Sequence, residues 1–159
     1  MGIFMPPSQL RVEIDKKKAE NAFDRPGFRM TKQRKVVYDV LLDEKDHPTA
    51  TEVFIRAKDR MDGISLATVY NCLETLNEAG LVKQIAVDRS PTRFCPNMHD
   101  HAHFFCNGCG DVYDINPADG QNEVSAWDLP AGAVIERLEV AMRGLCPKCA
   151  AKSETKSEA

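Results

Sequence analysis

The stretch Arg93–Gly110, with the sequence RFCPNMHDHAHFFCNGCG, determines how this chain is organised. It holds histidines at three alternate positions and ends in a Cys-x-x-Cys pair followed by glycine. The three histidines are His99, His101 and His103. In an extended strand, alternate side chains lie on one face, so these imidazoles would line a single surface. Because imidazole is the commonest metal ligand among protein side chains, the stretch predicts a metal-binding face.

Four cysteines form two Cys-x-x-Cys pairs, one inside this stretch and one at residues 146–149. They are Cys106, Cys109, Cys146 and Cys149. Two such pairs are the usual ligand set of a tetrahedral structural zinc site, in which all four positions are filled by thiolates. The spacing therefore predicts one closed Zn(II) site that stabilises the fold of the second half of the chain.

Another cysteine, Cys95, lies close in sequence to His101 and His103. A thiolate with two imidazoles is a softer ligand set than carboxylates with imidazoles, and it suits Zn(II) better than Fe(II) or Mn(II). We therefore expect a second, mixed Cys/His metal site, in the same small domain as the four-cysteine site.

Bulk composition is that of a globular protein, with 159 residues of which 43% are hydrophobic and 28% charged. We find no secretory signal at residues 1–7 and no apolar run that could span a bilayer. The expected location is the cytoplasm, where cysteines stay reduced and act as metal ligands. The net charge is -3, yet residues 25–38 contain five basic and no acidic side chains. This segment predicts either a phosphate-binding patch or a solvated helix face.

The order of predicted elements is that of a winged helix-turn-helix, in which the last helix enters the DNA major groove. Apolar periodicity and N-cap residues predict helices at 8–23, Thr31–Asp43, Thr49 onward and Leu66–Ala79, then strands at Leu81–Val87 and Thr92–Cys95. Further strands are expected at Ala102–Cys106, Asp111–Ile115 and Val134–Met142. The small, charged residues 151–159 predict a disordered tail.

Six blocks together resemble the ferric uptake regulator family. They are Met30–Arg34, His47–Ala50, Ile64–Asn71, Glu78–Leu81, the His-x-His before Cys-x-x-Cys-Gly, and the second Cys-x-x-Cys. The resemblance implies a homodimeric, metal-dependent transcriptional repressor that binds a palindromic operator in double-stranded DNA. It implies an α+β fold with a winged helix-turn-helix domain at 1–88, an α/β dimerisation domain at 89–150 and a tail at 151–159. No membrane and no small-molecule substrate are expected.

The resemblance also assigns DNA contacts residue by residue. Arg29 matches a basic residue that probes the minor groove, and Arg34 matches an arginine that contacts the DNA backbone. Thr68 and Tyr70 match recognition-helix residues that touch phosphates and bases. Asn71 stands where iron-type members often have arginine; since arginine favours guanine and asparagine favours adenine, the operator preference is expected to differ.

The same resemblance assigns the metal ligands. The four paired cysteines match a structural zinc site, and a regulatory site is matched by His47, Cys95, His101, His103 and Asp114. Cys95 stands where iron- and peroxide-sensing members have Asp or Glu, and in this the chain resembles the zinc uptake regulator branch. We expect His47 as the fourth ligand, with Asp114 next. The expected cofactors are one structural Zn(II) and a second regulatory Zn(II), with Fe(II) or Mn(II) as the alternative.

Alternative functions stay open at this point. Within the family, the chain could sense iron, manganese or peroxide, or haem, as an iron response regulator does. The dipeptide Cys95-Pro96 could bind haem, and residues Ser65–Asp88 resemble that haem-responsive branch. An enzyme is not expected, because the segment Cys146–Cys149 resembles one zinc-deaminase motif but its partner His-x-Glu is missing from the sequence.

Overall fold

The computed structural model describes residues 26–87, 90–99, 101–116, 127–136 and 138–157. They belong to two compact units that divide between His99 and Asp100. The helix expected at residues 8–23 lies outside the described residues. The boundary expected after residue 88 differs from this division, because the strand that follows it pairs with the strand before it and cannot leave the first unit.

The first unit contains three helices followed by an antiparallel hairpin, as the sequence predicts. The elements are α1 (Lys32–Asp43), α2 (Ala50–Lys58), α3 (Leu66–Glu78), β1 (Lys83–Val87) and β2 (Ser90–Cys95). In the hairpin, Lys83 lies opposite Cys95 and Gln84 opposite Phe94. This is the arrangement of a winged helix-turn-helix.

Each of the three helices begins at a hydroxyl side chain. Thr31, Thr49 and Ser65 have extended backbones, and each hydroxyl accepts a hydrogen bond from the backbone N–H three residues later. Such a bond satisfies one of the four N–H groups that have no partner inside the helix. At Thr49 the capping box is complete, because the Glu52 carboxylate also accepts from the Thr49 N–H at 2.7 Å. The sequence predicts all three starts.

The core of this unit is made by one apolar stripe from each helix together with the residues around the hairpin. Its fully enclosed members include Val37, Val40, Leu41, Val53, Ala57, Val69, Leu73, Leu76, Leu81 and Val82. From β2 only Phe94 enters this cluster. Alternation along the strand therefore directs the side chains of Arg93 and Cys95 to its other face.

The segment before α2 is attached to β2. The Phe94 N–H donates to the Pro48 carbonyl at 3.0 Å, and Thr49 forms an isolated antiparallel bridge with Arg93. His47, at the start of this segment, has a φ of 54° and a side chain that is 2% exposed. A buried, non-glycine residue in the left-handed region is uncommon and indicates that its surroundings fix it there.

Replacing Thr49 by alanine is expected to lower the free energy of unfolding of the first unit by about 0.5–2 kcal/mol, because the capping box of α2 is lost. Urea denaturation measures this change. Thr51→Ala is the matched control, since Thr51 is an exposed residue in the same turn and its removal should change the value by less than about 0.5 kcal/mol. Equal effects in the two variants would contradict a capping role.

The second unit is a three-stranded mixed sheet followed by a helix. Its elements are β3 (Ala102–Cys106), β4 (Val112–Ile115), β5 (Ala141–Gly144) and α4 (Pro147–Ser157). The strand order is β4-β3-β5, in which β3 pairs antiparallel with β4 and parallel with β5. Because β3 and β5 are parallel, the residues that follow each strand meet at the same edge of the sheet.

Two expectations differ from the structure here. The alternating pattern at Val134–Met142 predicts a longer strand, but the residues that pair with β3 are Ala141–Gly144, because register is decided by the partner strand. Residues 151–157, expected to be disordered, continue α4. Proline at the first helical position and the alanines that follow it favour this helix without any apolar stripe. None of the helices that the structure describes has the length and apolar character needed to cross a bilayer.

Candidate metal centres

The two Cys-x-x-Cys pairs meet at the edge where β3 and β5 both end. Cys106 is the last residue of β3, and its in-register partner Gly144 precedes Cys146 by two residues. The chain reverses after Cys106, with the Gly110 N–H donating to the Cys106 carbonyl at 2.9 Å and Gly110 at a φ of 78°. A positive φ favours glycine, so Gly110 closes the turn that returns the first pair to the sheet.

The four sulfur atoms have the spacing of a tetrahedral zinc site. All four Sγ atoms lie within 4.8 Å of one another, and those of Cys109 and Cys146 are 3.9 Å apart. In a tetrahedron with Zn–S bonds of about 2.3 Å, the sulfurs are about 3.8 Å apart. None of the six cysteines, all of them within the described residues, forms a disulfide. The predicted donor set therefore fits a structural Zn(II).

Hydrogen bonds at this edge of the sheet favour the ionised, thiolate form of Cys106 and Cys146. The Cys146 N–H donates to Cys106 Sγ at 3.2 Å, which lowers the pKa of Cys106 to about 6. The Cys149 N–H likewise lowers the pKa of Cys146, whereas the neighbouring Cys146 sulfur raises the pKa of Cys149. Four thiolates this close repel one another, so a divalent cation is the group that lets all four ionise together.

Gly108 lies in this turn at a position that has no room for a side chain. A Cβ at this position would lie 2.8 Å from both Cβ and Sγ of Cys149. Replacement of Gly108 by alanine is expected to displace the two pairs and weaken zinc binding by roughly 10–100-fold, the size of effect seen when neighbours of metal ligands change.

Competition with a chromophoric chelator measures the Gly108→Ala change. Asn107→Ala, at the exposed neighbouring position, should leave zinc affinity unchanged. If the two variants held zinc equally well, the packing of Gly108 against Cys149 would not matter to the site.

A second group of side chains that could bind a metal lies in the same unit, on β3, on β4 and at His101, immediately before β3. His103 and Asp114 are directly opposite each other in the antiparallel ladder, and His101 lies two residues before His103 on the same face. The two Nε2 atoms are 2.9 Å apart, and Asp114 Oδ1 lies 3.0 Å from the His101 nitrogen and 3.4 Å from that of His103. The side chain of His101 is fully enclosed.

These spacings are those of ligands around one ion. With bonds of about 2.0–2.1 Å, tetrahedral nitrogen and oxygen ligands of zinc lie about 3.3 Å from one another. The group therefore supplies two imidazoles and a carboxylate with little rearrangement. Asp114, the second choice for the fourth ligand in the sequence, is in direct contact with both histidines.

The first unit contributes a separate donor pair, His47 and Cys95. A ring nitrogen of His47 lies within 4.8 Å of Cys95 Sγ, and both residues are buried. Cys95 is the last residue of β2, so the expectation that it shares one small domain with His101 and His103 differs from the division of the chain. Lys83, opposite Cys95, uses its ammonium group to donate to the His99 carbonyl at 3.1 Å.

The predicted DNA contacts lie on the surface of the first unit. Tyr70 and Asn71 are exposed on α3, on the side away from the buried Val69 and Leu73. Thr68 is half-buried, and its backbone N–H donates to the Ser65 hydroxyl at the helix start. A large aromatic side chain that is 54% exposed, as Tyr70 is, has no role in the core and is available to a ligand.

Arg29 and Arg34 lie at the start of α1. Arg29 is exposed, whereas the guanidinium of Arg34 donates to the Arg29 carbonyl and lies 5.8 Å from the ring centre of Phe28. Arg34 therefore also fixes the segment that carries Arg29, a role that the sequence does not predict.

The side chains that hold His47 in place are not among the residues predicted from the sequence. Arg93 donates from Nη1 to the His47 carbonyl at 2.9 Å and lies 3.7 Å from Glu52 Oε2. A signal was available, because Arg93 precedes Cys95 by two residues and must share its face of a strand.

Comparisons with known proteins agree with this architecture. A sequence model described as the ferric uptake regulator family matches residues 25–137. The peroxide operon regulator of Bacillus subtilis is 30% identical over 138 residues, which cover 86% of this chain and 94% of that protein. These similarities, together with the helices, sheets and cysteine cluster above, confirm the predicted fold class.

Two solved structures resemble the chain over most of its length. The Campylobacter jejuni peroxide stress regulator is 28% identical with a TM-score of 0.61, and the match covers 91% of this chain and 100% of that one. The Helicobacter pylori ferric uptake regulator, described as having three functional metal binding sites, has a TM-score of 0.67 at 21% identity, covering 87% and 93%. The second likeness shows the fold alone.

Proposed function

The chain belongs to the ferric uptake regulator family, and on that basis we propose that it is a zinc-responsive repressor of metal-uptake genes. Members of this family are metal-responsive regulators of transcription and not enzymes. No residue of the chain is therefore given a catalytic role.

The proposed regulatory ligands are Cys95, His101 and His103, with His47 or Asp114 completing the set. Zinc takes four ligands, and the two donor groups described above together offer one thiolate, three imidazoles and one carboxylate. The bound cation supplies a charge that neutralises the thiolate and the carboxylate. The four-cysteine cluster is assigned to a separate, permanent Zn(II).

One observation supports this proposal most strongly: the imidazoles of His101 and His103 and the carboxylate of Asp114 have donor atoms within 3.4 Å of one another. The thiolate of Cys95 then favours zinc over iron or manganese, because a soft ligand suits Zn(II).

We propose that the repressor acts as a cytoplasmic homodimer on a palindromic operator. Two copies of α3 would occupy successive half-sites of double-stranded DNA, with Thr68, Tyr70 and Asn71 at the groove. Arg29 and Arg34 would contact the minor groove and the backbone. Coupling of about 1–3 kcal/mol between metal binding and DNA binding would change DNA affinity by roughly 5–150-fold.

Metal analysis and DNA retardation test the proposal together. Protein dialysed against a moderate chelator is expected to keep one zinc per monomer and to lose DNA binding. Zn(II) added at a low buffered concentration should restore binding to a palindromic, AT-rich probe. Restoration by Fe(II) or Mn(II) alone, under anaerobic conditions, would contradict the assignment to zinc.

Peroxide sensing is a second candidate, favoured by the names of the relatives. The Bacillus subtilis protein is a peroxide operon regulator and the Campylobacter jejuni protein a peroxide stress regulator. Under this alternative the Fe(II)-loaded protein binds the probe and releases it after brief exposure to peroxide. The zinc-responsive protein should keep its DNA under the same treatment while the four-cysteine zinc is retained.

A further inference from the structure

The backbone at His47 is held in place by Arg93, a residue of strand β2. Arg93 Nη1 donates to the His47 carbonyl at 2.9 Å, and the next residue, Phe94, donates from its N–H to the Pro48 carbonyl at 3.0 Å. Residues 47–49 therefore run alongside β2 and are hydrogen-bonded to it. The left-handed backbone of His47 is fixed by bonds to the same strand that ends in Cys95.

Glu52 orients the arginine from the other side. Its Oε2 atom lies 3.7 Å from Arg93 Nη1 and also accepts from the Thr49 N–H and hydroxyl, at 2.7 Å and 2.9 Å. One carboxylate thus connects the start of α2 with the guanidinium on β2. A planar guanidinium with several fixed donors is suited to bridge a carbonyl and a carboxylate in this way.

Arg93 and Cys95 lie on the same face of β2, and this face is turned toward His47. The ring of His47 is buried within 4.8 Å of Cys95 Sγ. Loss of the Arg93 bond would weaken the restraint on the left-handed backbone of His47, a conformation that is uncommon for a non-glycine residue. The imidazole would then lose its position relative to the thiolate.

We propose that Arg93 is a positioning residue for the regulatory metal, which sets His47 beside Cys95 before the ion arrives. This inference rests on the proposed function, since it assumes that these two side chains take part in binding the second ion. Arg93 touches neither the metal nor DNA in this role. It acts through the carbonyl of His47 alone.

The test is the zinc affinity of full-length Arg93→Met protein, measured by competition with a chromophoric chelator. Methionine keeps an apolar chain of similar length but removes every donor. The affinity for the second zinc is expected to fall by roughly 10–100-fold, the usual effect of changing a group that orients a metal ligand. The four-cysteine zinc should be held as before. Arg93→Lys, which keeps one donor, should recover part of the loss.

DNA retardation at saturating free zinc separates positioning from the other roles that Arg93 could have. A positioning residue shifts the zinc concentration needed for DNA binding and leaves maximal binding unchanged, whereas a DNA contact lowers the maximum. Arg60→Met is the matched control, since Arg60 forms a surface ion pair with Asp43 at 2.7 Å in the same unit. It should change neither quantity.

Two results would overturn the inference. If wild-type protein binds a second zinc and Arg93→Met binds it equally well, Arg93 does not position the site, although the proposed function stands. If wild-type protein holds only the four-cysteine zinc, the proposed function fails and this inference fails with it. If Arg93→Met does not fold, the folded Arg93→Lys protein is measured instead, and wild-type affinity for the second zinc in that variant would overturn the inference that the guanidinium positions His47.

Discussion

Serine in place of Cys106 is expected to abolish the tightly held zinc and to unfold the second unit. Cys106 ends β3 and accepts a hydrogen bond from the Cys146 N–H, so its sulfur contacts both halves of the cluster. A serine hydroxyl is a poor zinc ligand at neutral pH, and three thiolates would remain close together with an incomplete coordination sphere. The second unit is a three-stranded sheet too small to stay folded on its own core.

Zinc content and hydrogen exchange measure this outcome. The Cys106→Ser protein should lose about one zinc per monomer and the protection of the β3 and β5 amides. Cys72→Ala is the control, since Cys72 is a buried thiol of the first unit and does not belong to the cluster, so its loss should leave zinc content unchanged. A Cys106→Ser protein with full zinc and a protected sheet would show that the cluster is not a structural metal site.

Serine in place of Cys95 is expected to have a different effect: both units stay folded, but zinc no longer controls DNA binding. Cys95 is the only thiol in the proposed regulatory set, and its loss should weaken the second zinc by more than the roughly 10–100-fold that follows from changing a neighbour of a ligand. DNA affinity at a fixed, low zinc concentration should then fall to that of the chelator-treated protein, within the roughly 5–150-fold range of such couplings. The four-cysteine zinc should remain.

A carboxylate at position 95 tests which metal the site prefers, because the variant should still bind a metal. Cys95→Asp replaces a soft ligand by a hard one, and we expect DNA binding that is restored by Fe(II) or Mn(II) more readily than in the wild type. DNA retardation assays with each metal, at buffered free concentrations and under anaerobic conditions, measure this change in metal preference. If Cys95→Ser and Cys106→Ser behaved alike, the division into a regulatory and a structural site would be wrong.

Local signals predicted the first unit well. The hydroxyls of Thr31 and Thr49 mark helix starts through hydrogen bonds that reach only three residues, and both caps are present. The helix predicted from Leu66 also begins there. The strand Ala102–Cys106 was also predicted at its observed bounds. These features depend on short-range hydrogen bonds and alternation, which a single sequence displays directly.

Features that depend on distant partners were harder to predict. The alternating pattern near residue 134 does not show which residues will pair with β3, and the part of α4 beyond Cys149 has no apolar stripe to mark it. The pairing of Asp114 with His101 and His103 follows from the register of β3 and β4, which the sequence does not display. The bond from Arg93 to His47 spans 46 residues, and the sequence shows only that Arg93 shares a strand face with Cys95.

The parallel pairing of β3 with β5 has a consequence for synthesis of the protein. Cys146 follows Cys106 by 40 residues, and a ribosome adding about 5–20 residues per second needs about 2–8 s to make that interval. During this time the first Cys-x-x-Cys pair has emerged without its partners and without the strand that completes its sheet. A nascent chain can therefore offer a metal only two of the four thiolates of this cluster, and a tetrahedral site with half of its ligands is incomplete. The closed four-thiolate site can form only once β5 has taken its place.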